Sequence, residues 1–166
     1  MQQACVVLLG LPSSRGSHVK IKIAWVGKTK EPAITSLTEE YLRRIARYAQ
    51  VEGLSLRDEP ALLARFGKDT GSGSKSYLVL MDSRGKEFSS EQFAKFLGEH
   101  LERNPLPLVF AIGGADGFGA EARSLAQSTI SLGKITLPHE LARVVLLEQI
   151  YRAFTILKGH PYHSGH

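Results

Sequence analysis

Three groups of residues in this chain have types and spacings that can do chemistry. The first is Gly113-Gly114-Ala115-Asp116-Gly117-Phe118-Gly119, directly after the apolar run Leu108-Val109-Phe110-Ala111-Ile112. Glycines after a buried strand let backbone N–H groups approach a ligand where side chains would block contact. The spacing is not the G-x-G-x-x-G of dinucleotide sites, so a different ligand and a plain strand-to-helix turn both remain open. The second is Arg143, in the first turn of a helix-forming stretch, where a cation opposes the helix dipole and no local structural reason accounts for it. The third is the tail His160-Pro161-Tyr162-His163, continued by Ser164-Gly165-His166. Its three imidazoles, with Pro161 and Gly165 among them and no cysteine or carboxylate, make a poor zinc site. Imidazole and phenol instead suit stacking on bases and hydrogen bonding to phosphate, with an unstructured tail as the alternative.

The elements that must position these groups alternate between strand and helix patterns. Val19 to Val26 alternates apolar with polar or small residues and reads as a strand ending at Gly27. Ser36 and Glu39 have the capping-box spacing, with Leu37, Tyr41, Ile45 and Ala49 on one face of the helix they open. Val51 to Leu56 reads as a short strand, and Pro60 as the opening of a helix through Phe66. Gly71-Ser72-Gly73-Ser74 is a break within a domain, too short for an interdomain linker. Tyr77 to Met81 is an apolar run ending at Asp82, the pattern of a strand buried on both faces. Ser89 and Gln92 cap a helix with the stripe Phe93, Phe96, Leu97 and Leu101. Leu108–Ile112 is the second buried strand, Glu121 to Gln127 is expected to be helical, Lys134 to Leu137 a strand, and Glu140 to Leu157 a long helix carrying the i,i+4 pair Glu148 and Arg152. Such alternation predicts an α/β fold with a mostly parallel sheet of about five or six strands and helices on both faces. Ligands of such sheets sit at the carboxyl ends of the strands, which makes Leu80-Met81-Asp82 and the Gly113 loop candidates by position. The long helix is apolar around most of its circumference, more than one sheet face requires. A partner subunit, or complete burial within one chain, would use the surplus.

At 166 residues and 43% hydrophobic content, one domain with one well-buried core is the expectation. Lys and Arg total 21 against 16 Asp and Glu, a net charge of +5, which favours an anionic partner without isolating a binding tract. The single cysteine, Cys5, cannot form an intrachain disulfide and fits the cytoplasm. The apolar run Ala4 to Leu9 has no basic stretch before it and is too short to span a bilayer, so residues 1–18 read as an appended segment or a mis-assigned start, not a targeting signal. No metal and no membrane partner are expected.

The motifs Val79-Leu80-Met81-Asp82, Ile112-Gly113-Gly114-x-x-Gly117, Leu137-Pro138-His139-x-Leu141-x-Arg143-Val144, Tyr151-Arg152-Ala153 and His160-Pro161-Tyr162-His163 occur in an order and spacing that are distinctive together. The set resembles the RlmH family, the pseudouridine N3-methyltransferases of the ribosomal large subunit that belong to the SPOUT class. The resemblance covers residues 19–163 and is densest after Leu108. Residues 1–18 have no counterpart in it, and the segment between Pro60 and Lys75 is shorter than usual and lacks the family's acidic helix.

The resemblance implies a single SPOUT domain over residues 19–166, with a trefoil knot whose threaded C-terminal segment forms the pocket for S-adenosyl-L-methionine (SAM). It assigns the cofactor to Leu80, Gly113, Leu132, Gly133, Lys134, Ile135, Thr136 and Leu137. It implies a homodimer with a substrate groove across the interface, acting on a pseudouridine of 23S ribosomal RNA in the assembled ribosome. Arg143, His160, Tyr162 and His163 are the expected substrate contacts. Because N3 of the base carries a proton, His163 is the expected general base, with Arg143 holding a phosphate or charge on the base's carbonyl oxygen. The alternatives are a SPOUT methyltransferase acting on transfer RNA and a ribosome-binding protein without chemistry.

Overall fold

The computed structural model describes residues 20–67 and 75–163, the side chain of His163 excepted. Residues 1–18, the Gly71–Ser74 break and the Ser164-Gly165-His166 extension lie outside the described residues. In chain order the elements are β1 (Lys20–Val26), α1 (Pro32–Ile45), β2 (Gln50–Leu56), α2 (Glu59–Phe66), β3 (Tyr77–Glu87), α3 (Ser90–Arg103), β4 (Leu108–Ile112), α4 (Ala120–Leu125), β5 (Ser128–Ser131) and α5 (His139–Leu157), with a closing 3-10 turn at Pro161–His163. The five strands form one sheet in the order β2-β1-β4-β3-β5, and each neighbouring pair is parallel. The expected α/β architecture is therefore present.

Two cores follow from the period-2 alternation of the strands. Ile21, Ile23, Val79, Leu108, Phe110 and Ile130 point to the face covered by α1, α3 and α5. Ala24, Leu54, Leu78, Leu80, Val109 and Ala111 point to the opposite face, covered by α2 and α4. β4, at the centre of the sheet, is buried at all five positions, which is why it reads as an unbroken apolar run. Truncating Phe110, fully buried there, would cost about 3–5 kcal/mol.

Three sequence expectations are corrected. α1 begins a turn earlier than Ser36: Pro32 lies at its start, Glu31 occupies the N-cap position, and no side chain caps it. Proline is already fitted to the first helical turn, so the Ser36/Glu39 pair falls inside the helix. The buried face then runs through Thr38, Leu42 and Ile45, and Leu37 is 42% exposed. Lys134 to Leu137 is a loop, and the fifth strand is Ser128–Ser131. Alternating Ile135 and Leu137 imitates a strand, but Ile135 is 81% exposed. Finally, β3 does not stop at Asp82 but continues to Glu87 past an irregularity between Met81 and Lys86 in its pairing with β5. The Ser89/Gln92 capping box at the start of α3 is present as read.

Much of the surplus apolar surface of α5 is used within the chain. Leu146, Leu147, Ile150, Ala153 and Phe154 are buried among residues of α1, α3 and the sheet. Leu141 and Leu157 remain 42% and 43% exposed.

Candidate active site

The carboxyl ends of β3, β4 and β5 open into one cavity of about 750 Å³, walled by residues 81–84, 112–117, 131–133 and 135–139 with Arg123 and Ala142. Each wall has a local cause. The β3–β5 ladder skips Asp82 to Gly85, and bulges of this kind re-aim side chains beside functional sites. Asp82, Ser83 and Arg84 thereby face the cavity. Gly85 makes the crossing possible, because a Cβ there would stand 2.6 Å from the backbone of Ile130.

The second wall is the glycine loop. Gly117 N–H donates to the Gly114 carbonyl at 3.0 Å, and Gly117 has a φ of 72°, a left-handed turn that glycine adopts without strain. A Cβ on Gly113 would lie 3.1 Å from the Gly117 backbone, so the two backbone segments approach more closely than side chains allow. Beyond the loop, the Glu59 carboxylate of α2 accepts from Gly119 N–H at 2.9 Å, satisfying a donor at the start of α4.

The third wall is the loop after β5. Ser131 Oγ donates to the Gly133 carbonyl at 2.8 Å and accepts from Gly133 N–H at 3.1 Å. This clasp holds Gly133 at a φ of 127° and turns Ile135, Thr136 and Leu137 over the cavity.

The electrostatics concentrate on Asp82. Its Oδ1 accepts from Arg84 N–H at 2.9 Å and its Oδ2 from Arg123 Nη2 at 3.0 Å. The Arg84 amide first, and the Arg123 guanidinium after it, hold this carboxyl below its ordinary value against the opposing effect of burial. Sequence position alone pointed to Asp82. Arg123 gave no signal, since only the neighbouring of β3 and β4 brings α4 to it.

Six of the residues that the resemblance assigns to the cofactor line this cavity: Gly113, Leu132, Gly133, Ile135, Thr136 and Leu137. Lys134, in the same loop, is exposed and outside the lining. The Leu80 side chain is fully buried in the second core, one residue before the lining Met81.

Arg143 is buried, 1% exposed, beside the cavity and not in its lining. Its guanidinium lies 4.1 Å from the Trp25 ring centroid, and Nη2 donates to Thr29 Oγ1 at 2.7 Å. Burial pushes its pKa down, and Glu140 opposes that shift. Its Nε and the Trp25 Nε1 are buried without a hydrogen-bond partner among the described residues. The local reason missing at the sequence level is thus the Trp25 ring, an aromatic face for a planar cation.

The family model described as "Predicted SPOUT methyltransferase" matches residues 19–163. The chain belongs to the SPOUT methyltransferase family. A Koribacter versatilis protein named "Ribosomal RNA large subunit methyltransferase H" is 53% identical over 148 residues, covering 89% of this chain and 100% of that protein. A Geobacter protein of the same name is 44% identical over 154 residues, covering 87% and 99%. In fold, the chain is similar to a probable methylase family protein from Haemophilus influenzae, with a TM-score of 0.54 at 9% identity, covering 86% of this chain and 70% of that one.

In this SPOUT methyltransferase the described part of the C-terminal tail folds back on α5. Gly159, with a φ of 67°, turns the chain after α5, and Tyr162 folds back so that its hydroxyl donates to Glu148 Oε1 at 3.3 Å. The Tyr162 ring meets Tyr151 edge-on at 4.9 Å and lies under the Arg152 guanidinium at 5.2 Å. Burial first, and the Glu148 carboxylate after it, push the Tyr162 phenol up to about 12. Glu148 and Arg152 pair at 2.7 Å, as their spacing suggests, but each side chain is only 19% exposed, so the pair braces the tail and is not a free surface bridge. His160 meets Tyr48 edge-on at 6.3 Å. Neither His160 nor Tyr162 lines the cavity, and the His163 side chain lies outside the described residues. Among the described residues, no group of three metal-ligating side chains stands together, and no helix is long and apolar enough to cross a membrane.

Proposed function

We propose that this methyltransferase uses SAM to methylate N3 of a pseudouridine in 23S ribosomal RNA, on the assembled ribosome, as a cytoplasmic homodimer. What supports the reading most is that Gly113 and the loop Leu132–Leu137, far apart in sequence, share one cavity at the strand ends, while full-length relatives are named for this RNA. The cavity fits the cofactor. Its volume falls within the roughly 300–1,000 Å³ of small-molecule sites, and the close approach of the Gly113 and Gly117 backbones at its wall, which a Cβ on Gly113 would crowd, keeps side chains out of that wall. Leu132, Ile135 and Leu137 offer apolar edges for a base, and the Asp82–Arg123 pair offers charge for the amino-acid end.

When bound, SAM supplies an electrophilic methyl group by in-line displacement, so alignment carries much of the catalysis. The protein's part is to fix the pocket and to take the N3 proton. The imidazole of His163 is the proposed acceptor, because histidine is the side chain best suited to general acid–base work near neutral pH. His160 and Tyr162 are the proposed RNA contacts. Arg143, expected at a phosphate or a carbonyl oxygen, is assigned a positioning role by its burial under Trp25. His160 and Tyr162 lie outside their own chain's cavity lining, and Leu37 and Leu141 remain exposed. Both observations favour a partner copy that brings a tail to each pocket, with the trefoil-knotted threading of the C-terminal segment as part of the same reading.

The test is methylation with labelled SAM of ribosomes, free 23S RNA and transfer RNA, all from a strain lacking the enzyme, followed by nucleoside mass spectrometry. One added methyl on a pseudouridine, strongest with ribosomes, is the expected result. Label in transfer RNA, or SAM binding without transfer to any RNA, would overturn the reading.

A further inference from the structure

The loop joining β1 to α1, Gly27 to Glu31, is held through the backbone of Gly27, Lys30 and Glu31 and through the Thr29 hydroxyl, and among the described residues this leaves two ammonium groups without an ion-pair partner. Gly27 N–H donates to the Leu56 carbonyl at 2.8 Å, and the Gly27 carbonyl accepts from Ser55 Oγ at 2.9 Å. Thr29 Oγ1 accepts from Arg143, and Glu140 Oε1 accepts from Lys30 N–H at 2.9 Å. The Glu140 carboxyl, drawn down first by that amide and then by the Glu31 amide, spends its acceptors on the loop backbone. The loop is thereby clamped to the first turns of α5, whose His139 and Ala142 line the cavity. On its other side Val26 approaches the glycine loop, with Cγ1 3.7 Å from where a Gly114 Cβ would stand.

Lys28 and Lys30 are both exposed, and neither has an ion-pair partner among the described residues. Glu31, the carboxylate of the same loop, sits at the start of α1, where the helix dipole offsets its charge. A rigid loop at the rim of a reaction cavity, presenting two unpaired cations, has the form of a phosphate clamp. We infer that Lys28 and Lys30 bind RNA backbone phosphates beside the nucleotide entering the cavity, with Arg143 and Glu140 as positioning residues that hold the loop in place. This inference rests on the RNA methyltransferase reading above.

The test compares the full chain with the double variant Lys28→Ala/Lys30→Ala and the conservative Lys28→Arg/Lys30→Arg. Measurements are ribosome methylation kinetics, filter binding of ribosomal RNA across salt concentrations, SAM affinity and melting temperature. The alanine variant is expected to raise KM for ribosomes several-fold with kcat little changed, and to lower the log–log salt slope by roughly 1 per lysine. SAM affinity and melting temperature should hold, and the arginine variant should restore binding. An unchanged KM and salt slope in an enzyme that methylates ribosomes would overturn the clamp alone. A wild type that binds SAM yet methylates no RNA would overturn the wider reading, and its salt slope would still decide whether these lysines meet phosphate.

Discussion

Arg143 and Trp25 stack with guanidinium and ring 4.1 Å apart, joining α5, whose first turn walls the cavity, to the end of β1. The cation is desolvated, and its Nε has no hydrogen-bond partner among the described residues, so the stack is held at a cost. Replacing buried charge by an apolar side chain of similar volume is often neutral or stabilising. Arg143→Met is therefore expected to keep or raise the melting temperature while losing the Thr29 hydrogen bond, with kcat/KM falling about tenfold or more because the clamped loop is released. A calorimetric melt beside a methylation assay checks both. A variant that is destabilised by more than about 3 kcal/mol would show the cation to be a structural necessity of the fold.

The cofactor loop gives a second prediction. Gly133 sits at a φ of 127° with open space around a would-be Cβ, so Gly133→Ala meets no clash and its whole cost is backbone strain, of order 1–3 kcal/mol. The loop relaxes, Ile135 to Leu137 shift, and SAM affinity by calorimetry should fall about tenfold or more. Gly159→Ala imposes similar strain at a φ of 67°, also in open space, but at the tail. It should leave SAM affinity unchanged, and equal losses in the two variants would sink the assignment of this loop.

What the sequence made legible, and what it hid, divides along physical lines. β4 and the start of β3 were readable because burial on both faces leaves only apolar residues at Leu108–Ile112 and at Leu78, Val79 and Leu80. β5 was hidden because, of Ser128–Ser131, only Ile130 is an apolar core residue, and its pairing depends on a neighbour distant in sequence. Lys134 to Leu137 looked like a strand because a ligand-facing loop also carries alternating apolar residues. The cavity's glycines were visible locally, whereas Asp82 meeting Arg123 and Arg143 meeting Trp25 exist only once parallel strands set their ends side by side. The tail's fold-back onto Glu148 was invisible because it depends on the turn at Gly159 that reverses the chain against α5.

That fold-back yields the third prediction. Tyr162→Phe keeps the ring contacts with Tyr151 and Arg152 and removes the 3.3 Å hydrogen bond to Glu148, a loss of about 1 kcal/mol. In the proposed mechanism the tail brings His163 to the RNA, so kcat/KM for ribosomes should fall about fivefold with SAM affinity unchanged. Glu148→Gln keeps an acceptor oxygen but loses the charge that pairs with Arg152, and should fall at least as far. Wild-type activity in both variants would show that the observed fold-back has no part in turnover.

A fourth prediction concerns pH and stability. His100, buried at the end of α3, places Nε2 3.0 Å from the Leu106 carbonyl and meets the Tyr77 ring edge-on at 5.0 Å. A carbonyl only accepts, so Nε2 carries the proton in the neutral ring. Burial pushes this imidazole below its ordinary 6.5, against the opposing pull of the Leu106 carbonyl. Between that lowered value and 6.5 the unfolded chain binds more protons than the folded one, so stability must fall as pH falls through this window, with the loss complete below the folded value. His100→Gln can still donate to the Leu106 carbonyl but does not titrate. Urea midpoints measured from about pH 7.5 down to 5 should therefore decline more steeply in the wild type than in the variant, and parallel declines would place the acid sensitivity elsewhere in the chain.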